Sequence, residues 1–171
     1  DGILFYYDEY TDQTTLVRCP TKKTIREYTI PENVTTLGIS AFRGNVSLKT
    51  ITMPDDLITI RNYAFQGCTG LTTLSIPDTV TSIGEYAFEN CTGLTYVYLG
   101  KALNSIGYRG FRYCSNISTI TVPDALNSVY DSFENTNIKK VILPATVTSF
   151  NGTIRDLSSI SIFESENTST I

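Results

Sequence analysis

The chain contains no histidine and no tryptophan, and a single methionine. Without histidine, neither serine nor cysteine has its commonest activating base, and the commonest zinc ligand is missing as well. Paired carboxylates are the remaining route to hydrolysis. The pair Asp55-Asp56, however, follows a proline in a stretch that reads as a solvated turn. The reading is therefore of a protein that is not an enzyme, with no cofactor and no metal. Charge is also scarce: 18% of residues are charged and the net charge is −4. No basic cluster exceeds Lys22-Lys23 or Lys139-Lys140, which argues against nucleic acid as a partner. No apolar run approaches the ~20 residues of a membrane helix, so no membrane insertion is expected in this segment. The chain opens at Asp1 with neither Met nor signal peptide, which reads as a mature or trimmed piece of something longer.

What is present is Thr, Ser and Asn in quantity, a composition that favours strands, and a strict period. Pro31, Pro54 and Pro77 stand 23 residues apart, as do Phe42, Phe65, Phe88 and Phe111. Cys68, Cys91 and Cys114 keep the interval, and so do Leu48, Leu71, Leu94 and Ile117. Coincident periods of this length predict a repeat solenoid in which each unit is one coil stacked on the last. In the central copy, LTTLSIPDTVTSIGEYAFENCTG, Leu71, Leu74 and Ile76 are spaced for a short strand with alternate residues inward. Pro77-Asp78 ends it, because proline lacks the ladder N–H and Asp favours a turn. Val80 and Ile83 point inward from a second extended piece. Glu85-Tyr86-Ala87-Phe88 is long enough for one helical turn, with Phe88 buried. The fold expected is β-rich α/β, with one parallel sheet and short helical turns on the other side.

The ends depart from the period. Residues 1–24 hold two β-prone runs, GILFYYDEY and TTLVRC, and read as a hairpin that caps the first coil. Coils fill residues 25–162 and shorten toward the end, with Ile160-Ser161-Ile162 as a terminal strand; residues 163–171 form a polar tail. The phenylalanines, Phe133 included, should form one column. Parallel strands lie roughly 4.8 Å apart, and offset rings prefer centroids about 4.5–7 Å apart. Asn45 shares the phase of the three periodic cysteines, so that position takes a small side chain that meets loop backbone groups, and not a disulfide; Cys19 stands outside the file. Glu32, Asp55, Asp78 and Asp124 share another phase, read as solvated turn acids. Of six sequons, Asn90 is expected to be a poor acceptor because it adjoins a buried cysteine.

The units IPDTVTSIGEYAFENCTGL and MPDDLITIRNYAFQGCTGL resemble the BspA-type leucine-rich repeat, over about residues 2–150. The opening segment is similar to that family's first unit, with Gly2, Leu4, Asp8, Leu16, Pro20, Lys23, Tyr28, Ile30 and Pro31 in order. Gly100-Lys101 departs from the pattern, standing where the other units have Pro-Asp, and Arg61-Asn62 departs where Gly is usual. The resemblance implies a right-handed leucine-rich-repeat horseshoe and a cell-surface or secreted protein. It implies an adhesin-like, non-enzymatic module that contacts host or partner-cell proteins, such as extracellular-matrix proteins, and it carries over no catalytic residue. Solenoids bind through the outward positions of their sheet. Here these are Glu27/Thr29, Thr50/Thr52, Thr73/Ser75, Tyr96/Tyr98, Thr119/Thr121, Lys140/Ile142 and Ser159/Ser161. Tyr96 and Tyr98, amphipathic rings flanked by the hydroxyls of Thr73, Ser75, Thr119 and Thr121 and by Lys140, form the candidate ligand face. A carbohydrate-binding domain of a larger surface protein or enzyme would use the same face, and a passive spacer would use none.

Overall fold

The computed structural model describes residues 2–20, 24–129, 131–143 and 162–165. The chain opens with an antiparallel hairpin, β1 (Leu4–Asp8) and β2 (Gln13–Arg18). Each coil then supplies two short strands. The first of each pair are β3 (Glu27–Thr29), β5 (Thr50–Thr52), β7 (Thr73–Ser75), β9 (Tyr96–Tyr98), β11 (Thr119–Thr121) and β13 (Lys140–Leu143). The second are β4 (Val34–Leu37), β6 (Thr59–Ile60), β8 (Ser82–Ile83), β10 (Ser105–Ile106) and β12 (Ser128–Val129). A last strand, β14 (Ile162–Ser165), pairs parallel with β13.

Two ladders result, where one parallel sheet was expected. The back ladder is continuous over seven strands, in the order β1-β2-β4-β6-β8-β10-β12. The front ladder is interrupted: β3 pairs with β5, β7 with β9, and β13 lies between β11 and β14. Apart from β1–β2, the pairings among the described residues are parallel, and through the central coils they keep the 23-residue step, for example Thr73↔Tyr96 and Ser82↔Ser105, while β2–β4 carries a register shift. The terminal strand lies further along the chain than Ile160–Ile162. Val141 pairs with Phe163, because this stretch alternates without the proline that ends the earlier strands, and register is then weakly specified. Ser159 and Ser161 lie outside the described residues.

Files of aliphatic side chains run between the ladders. Ile51, Leu74, Val97, Ile120 and Val141 face inward from the front, and Leu37, Ile60, Ile83, Ile106 and Val129 from the back, all buried. Between them stack Phe42, Phe65, Phe88, Phe111 and Phe133. Their successive centroids are 5.0, 5.1, 4.9 and 5.5 Å apart, with planes within 10°. That is the single column the period predicted.

The expected helical turns do not form; among the described residues there is no helix. Two observations explain it. Each coil places two residues at positive φ, such as Tyr86 (55°) with Asn90 (59°) and Tyr63 (60°) with Gly67 (74°), and left-handed residues cannot continue a right-handed helix. The phenylalanine amide between them and the amide of the first left-handed residue reach the next coil: Phe65 N–H donates to Ala87 O and Phe88 N–H to Gly110 O, both at 2.7 Å, and Tyr86 N–H donates to Tyr108 O. Gln66 and Glu89 close tight turns on Tyr63 O and Tyr86 O. Solenoid stacking takes the hydrogen bonds that a helical turn would use internally.

Candidate functional site

Of the two long surfaces, the turn side satisfies itself. Gln66, Glu89, Arg112 and Glu134 share one phase of the repeat and form a ladder. Gln66 donates to Glu89 at 2.5 Å, Arg112 meets Glu89 at 3.5 Å and Glu134 at 2.8 Å, and Arg109 also meets Glu134, at 3.1 Å. Arg112 lies over the Tyr113 ring and Arg109 over Tyr108. These groups are engaged with one another, in contrast to the exposed hydroxyl rows of the front ladder. Nothing in the pattern of single units signals this network; it becomes visible only when position is compared across coils.

The periodic cysteines belong to the interior. Cys68 Sγ donates to Phe42 O at 3.1 Å, Cys91 to Phe65 O at 3.2 Å and Cys114 to Phe88 O at 3.1 Å. One coil earlier, Asn45 Nδ2 donates to the same Phe42 O at 3.0 Å, but from within its own coil, whereas each thiol reaches back to the coil before. The thiols are free and buried, and burial pushes Cys68 and Cys114 up to about 12. A thiol so protonated is a small core residue and a weak donor, not a nucleophile or ligand. Asn90, by contrast, is exposed although its neighbour is buried, because its left-handed backbone turns the side chain outward.

On the front, the exposed rows follow from strand alternation: Thr73, Ser75, Thr119 and Thr121 are exposed while Leu74 and Ile120 between them are buried. Tyr96 is 59% exposed, and Lys140 and Ile142 are half-buried. The strands bring Thr73 beside Tyr96 and Ser75 beside Tyr98, and they bring Thr119 beside Lys140. No ladder pairing joins β9 to β11 among the described residues, so Tyr96 and Tyr98 stand at a break in the sheet.

Tyr98 differs from Tyr96. Its hydroxyl donates to Asp78 Oδ1 at 2.7 Å, an oxygen that also accepts from the Lys101 backbone N–H at 3.1 Å. Lys101 Nζ lies 3.2 Å from Asp78 Oδ2. The Tyr98 hydrogen bond, and then the Lys101 amide, hold the Asp78 carboxyl below its ordinary value, and the same bond raises the Tyr98 phenol. Gly100 makes this arrangement fit: a Cβ there would stand 2.0 Å from Pro77 O, so no other residue allows the chain so close. Beside this lock opens a cleft of about 260 Å³, lined by Tyr98, Leu99 and Lys101 of one coil and Thr121, Val122 and Asp124 of the next. Sequence reasoning missed Asp78 and Lys101 as part of this site; the signal was the replacement of Pro-Asp by Gly100-Lys101. Among the described residues, no group of three or more His, Cys, Asp or Glu residues is placed to hold a metal ion. No helix there is long and apolar enough to cross a membrane.

Comparison with solved structures gives the same fold. A leucine-rich repeat protein of T. pallidum superimposes with a TM-score of 0.83 at 21% identity, over 96% of this chain and 80% of that one. The pneumococcal vaccine antigen PcpA gives 0.72 at 21% identity, over 83% of this chain and 35% of its own. A leucine-rich cell surface protein of Faecalibacterium prausnitzii gives 0.63 at 23%, over 96% and 53%. The chain thus spans most of the first protein but about half or less of the other two. No curated protein matches it. The model of the BspA-type leucine-rich repeat region matches residues 35–154 in six copies, and the chain belongs to that family.

Proposed function

We propose that this chain is a non-enzymatic, adhesin-like binding module that acts at a cell surface or after secretion. Its partner is a protein, such as an extracellular-matrix component of a host, held on the front ladder around Tyr96 and Tyr98. The observation that carries the reading is one strand, β9, at the break before β11, that presents the exposed Tyr96 ring and, through Tyr98, one wall of the cleft. A fixed tyrosine, an open tyrosine and flanking hydroxyls offer apolar area with hydrogen bonding at little entropic cost. In this reading residues 1–24 cap a right-handed, curved solenoid that begins at residue 25 and whose last strand, β14, runs to Ser165, three residues past the boundary expected at 162. The surface placement is also supported by the F. prausnitzii relative, which is a cell surface protein.

The test is binding of the full chain to a panel of matrix proteins by surface plasmon resonance, with a glycan array alongside. Replacing both rings (Tyr96→Ala with Tyr98→Ala) is expected to weaken binding by about 30-fold or more, the scale of a hot spot of roughly 2 kcal/mol. Undiminished binding by that double variant would remove the site. Binding to glycans alone would replace the protein partner with a carbohydrate, and silence in both screens would leave a spacer.

A further inference from the structure

The N-terminal hairpin carries an apolar surface that the described chain leaves open. Leu4 is 58% exposed, Phe5 38%, Tyr6 59% and Tyr7 58%, with Tyr10 in the turn at 91%. Exposed large hydrophobics elsewhere are scattered singly, except Ile39, which borders the hairpin and lines a shallow hollow with Tyr6. Strand β1 is also the end of the back ladder. One edge pairs with β2, and among the described residues no strand pairs with the other. Natural edge strands are usually blunted with lysine, proline or inward charge. Leu4-Phe5-Tyr6-Tyr7 has none of these.

We propose that β1 pairs antiparallel with β1 of a second copy, about a two-fold axis through Tyr6, joining two back ladders into one sheet. Three features select this occupant and this register. First, all five strand residues find a partner: Tyr6 faces its own copy, Phe5 faces the partner's Tyr7, and Leu4 faces the partner's Asp8. The three central pairs are all aromatic, a favourable combination across antiparallel strands. Second, charge is complementary. Arg18 stands opposite Leu4 on β2, just past the bulge that leaves Val17 without a partner, so the row across the joined sheet reads Arg18, Leu4, the partner's Asp8. Two strand spacings of about 4.8 Å separate the ends of that row, a span that an arginine and an aspartate side chain bridge over leucine. The symmetry makes this contact twice. Third, parallel pairing in register would set Asp8 and Glu9 against their own copies, like charge on like. The Tyr7 hydroxyl donates to Asp12 Oδ1 at 2.9 Å, which orients the ring before pairing.

Sedimentation equilibrium of the full chain tests this. Self-association to a dimer is expected, and Tyr6→Glu should weaken it by roughly tenfold or more, because the two carboxylates meet on the axis. Tyr6 is exposed in the single chain, so the thermal melt of that variant at low concentration should be unchanged. A register-specific second measurement uses a short bismaleimide. The variant Tyr6→Cys should cross-link to a covalent dimer while Tyr10→Cys does not, since two copies of position 10 stand roughly 26 Å apart along the paired strands. The native cysteines at 68, 91 and 114 are buried and do not compete. A monomer at all concentrations, association unaffected by Tyr6→Glu, or equal cross-linking of the two cysteine variants would each overturn the proposal.

Discussion

Two aromatic files run along this solenoid, and they behave differently. Phe42 to Phe133 stay parallel through five coils, at 4.9–5.5 Å and within 10°. Tyr63 and Tyr86 begin the same way, 5.1 Å apart and 3° from parallel, but Tyr86 and Tyr108 meet edge to face at 5.6 Å and 87°. Both files contain one interval of 22 residues in place of 23. In the phenylalanine file the coil itself is shorter and Phe133 keeps its place: Phe111 N–H donates to Ser132 O as Phe88 N–H donates to Gly110 O. In the tyrosine file the ring stands one residue early. Arg109 occupies the left-handed position of Tyr86, with φ of 57° against 55°, and its guanidinium lies 4.6 Å from the Tyr108 centroid. Position within the coil, and not the count of residues, decides whether rings stack. Enclosure then decides how much the stack is worth, because the phenylalanines are buried and the tyrosines half-exposed.

The largest expected effect tests the enclosed file. Phe88→Ala should lower unfolding free energy by about 3–5 kcal/mol in urea titration, since it opens a cavity with a ring lost to both neighbours. A loss below about 1 kcal/mol would mean that the column does not hold the coils together.

The thiols at the edge of that file sharpen the comparison through pH. Cys68 and Cys114 are raised from 9.0 to about 12 by burial. In the unfolded chain they ionise near pH 9, while in the fold they stay protonated until about pH 12. Between those values the folded state binds more protons, so stability is intact below pH 9 and falls as pH rises, by about 1.4 kcal/mol per thiol for each pH unit. Cys114→Ala should cost roughly 1 kcal/mol at neutral pH through its lost hydrogen bond to Phe88 O. The same variant should show a shallower alkaline decline in denaturant melts; an unchanged slope would remove the thiol from that account.

The smallest effect belongs to the outer file. Tyr86→Ala removes one parallel and one edge contact at a half-exposed site, and should cost only about 0.5–1.5 kcal/mol by the same titration. A cost equal to that of Phe88→Ala would erase the distinction between the two files.

Much of this architecture was legible because a repeat states each requirement several times. The inward positions Leu71, Leu74, Ile76, Val80 and Ile83 are all buried, and the phase shared by Asn45 and the cysteines correctly marked a side chain that meets a loop carbonyl. The turn at Glu85-Tyr86-Ala87-Phe88 was misread as helical, since local spacing cannot show that its amides are used by the next coil. The candidate face was half legible. Alternation placed Tyr96 and Tyr98 outward, but the lock of Tyr98 on Asp78 and Lys101 joins residues on two coils.

By itself, then, the sequence determined the period, the inward files and the family, because hydrophobic spacing and steric punctuation by Pro and Gly act within one coil. Which strands join into a continuous ladder, where the front sheet breaks, and which tyrosine is tied down were decided only in three dimensions. Those outcomes depend on hydrogen bonds and close approaches between coils some 23 residues apart, as when Gly100 closes on Pro77 O.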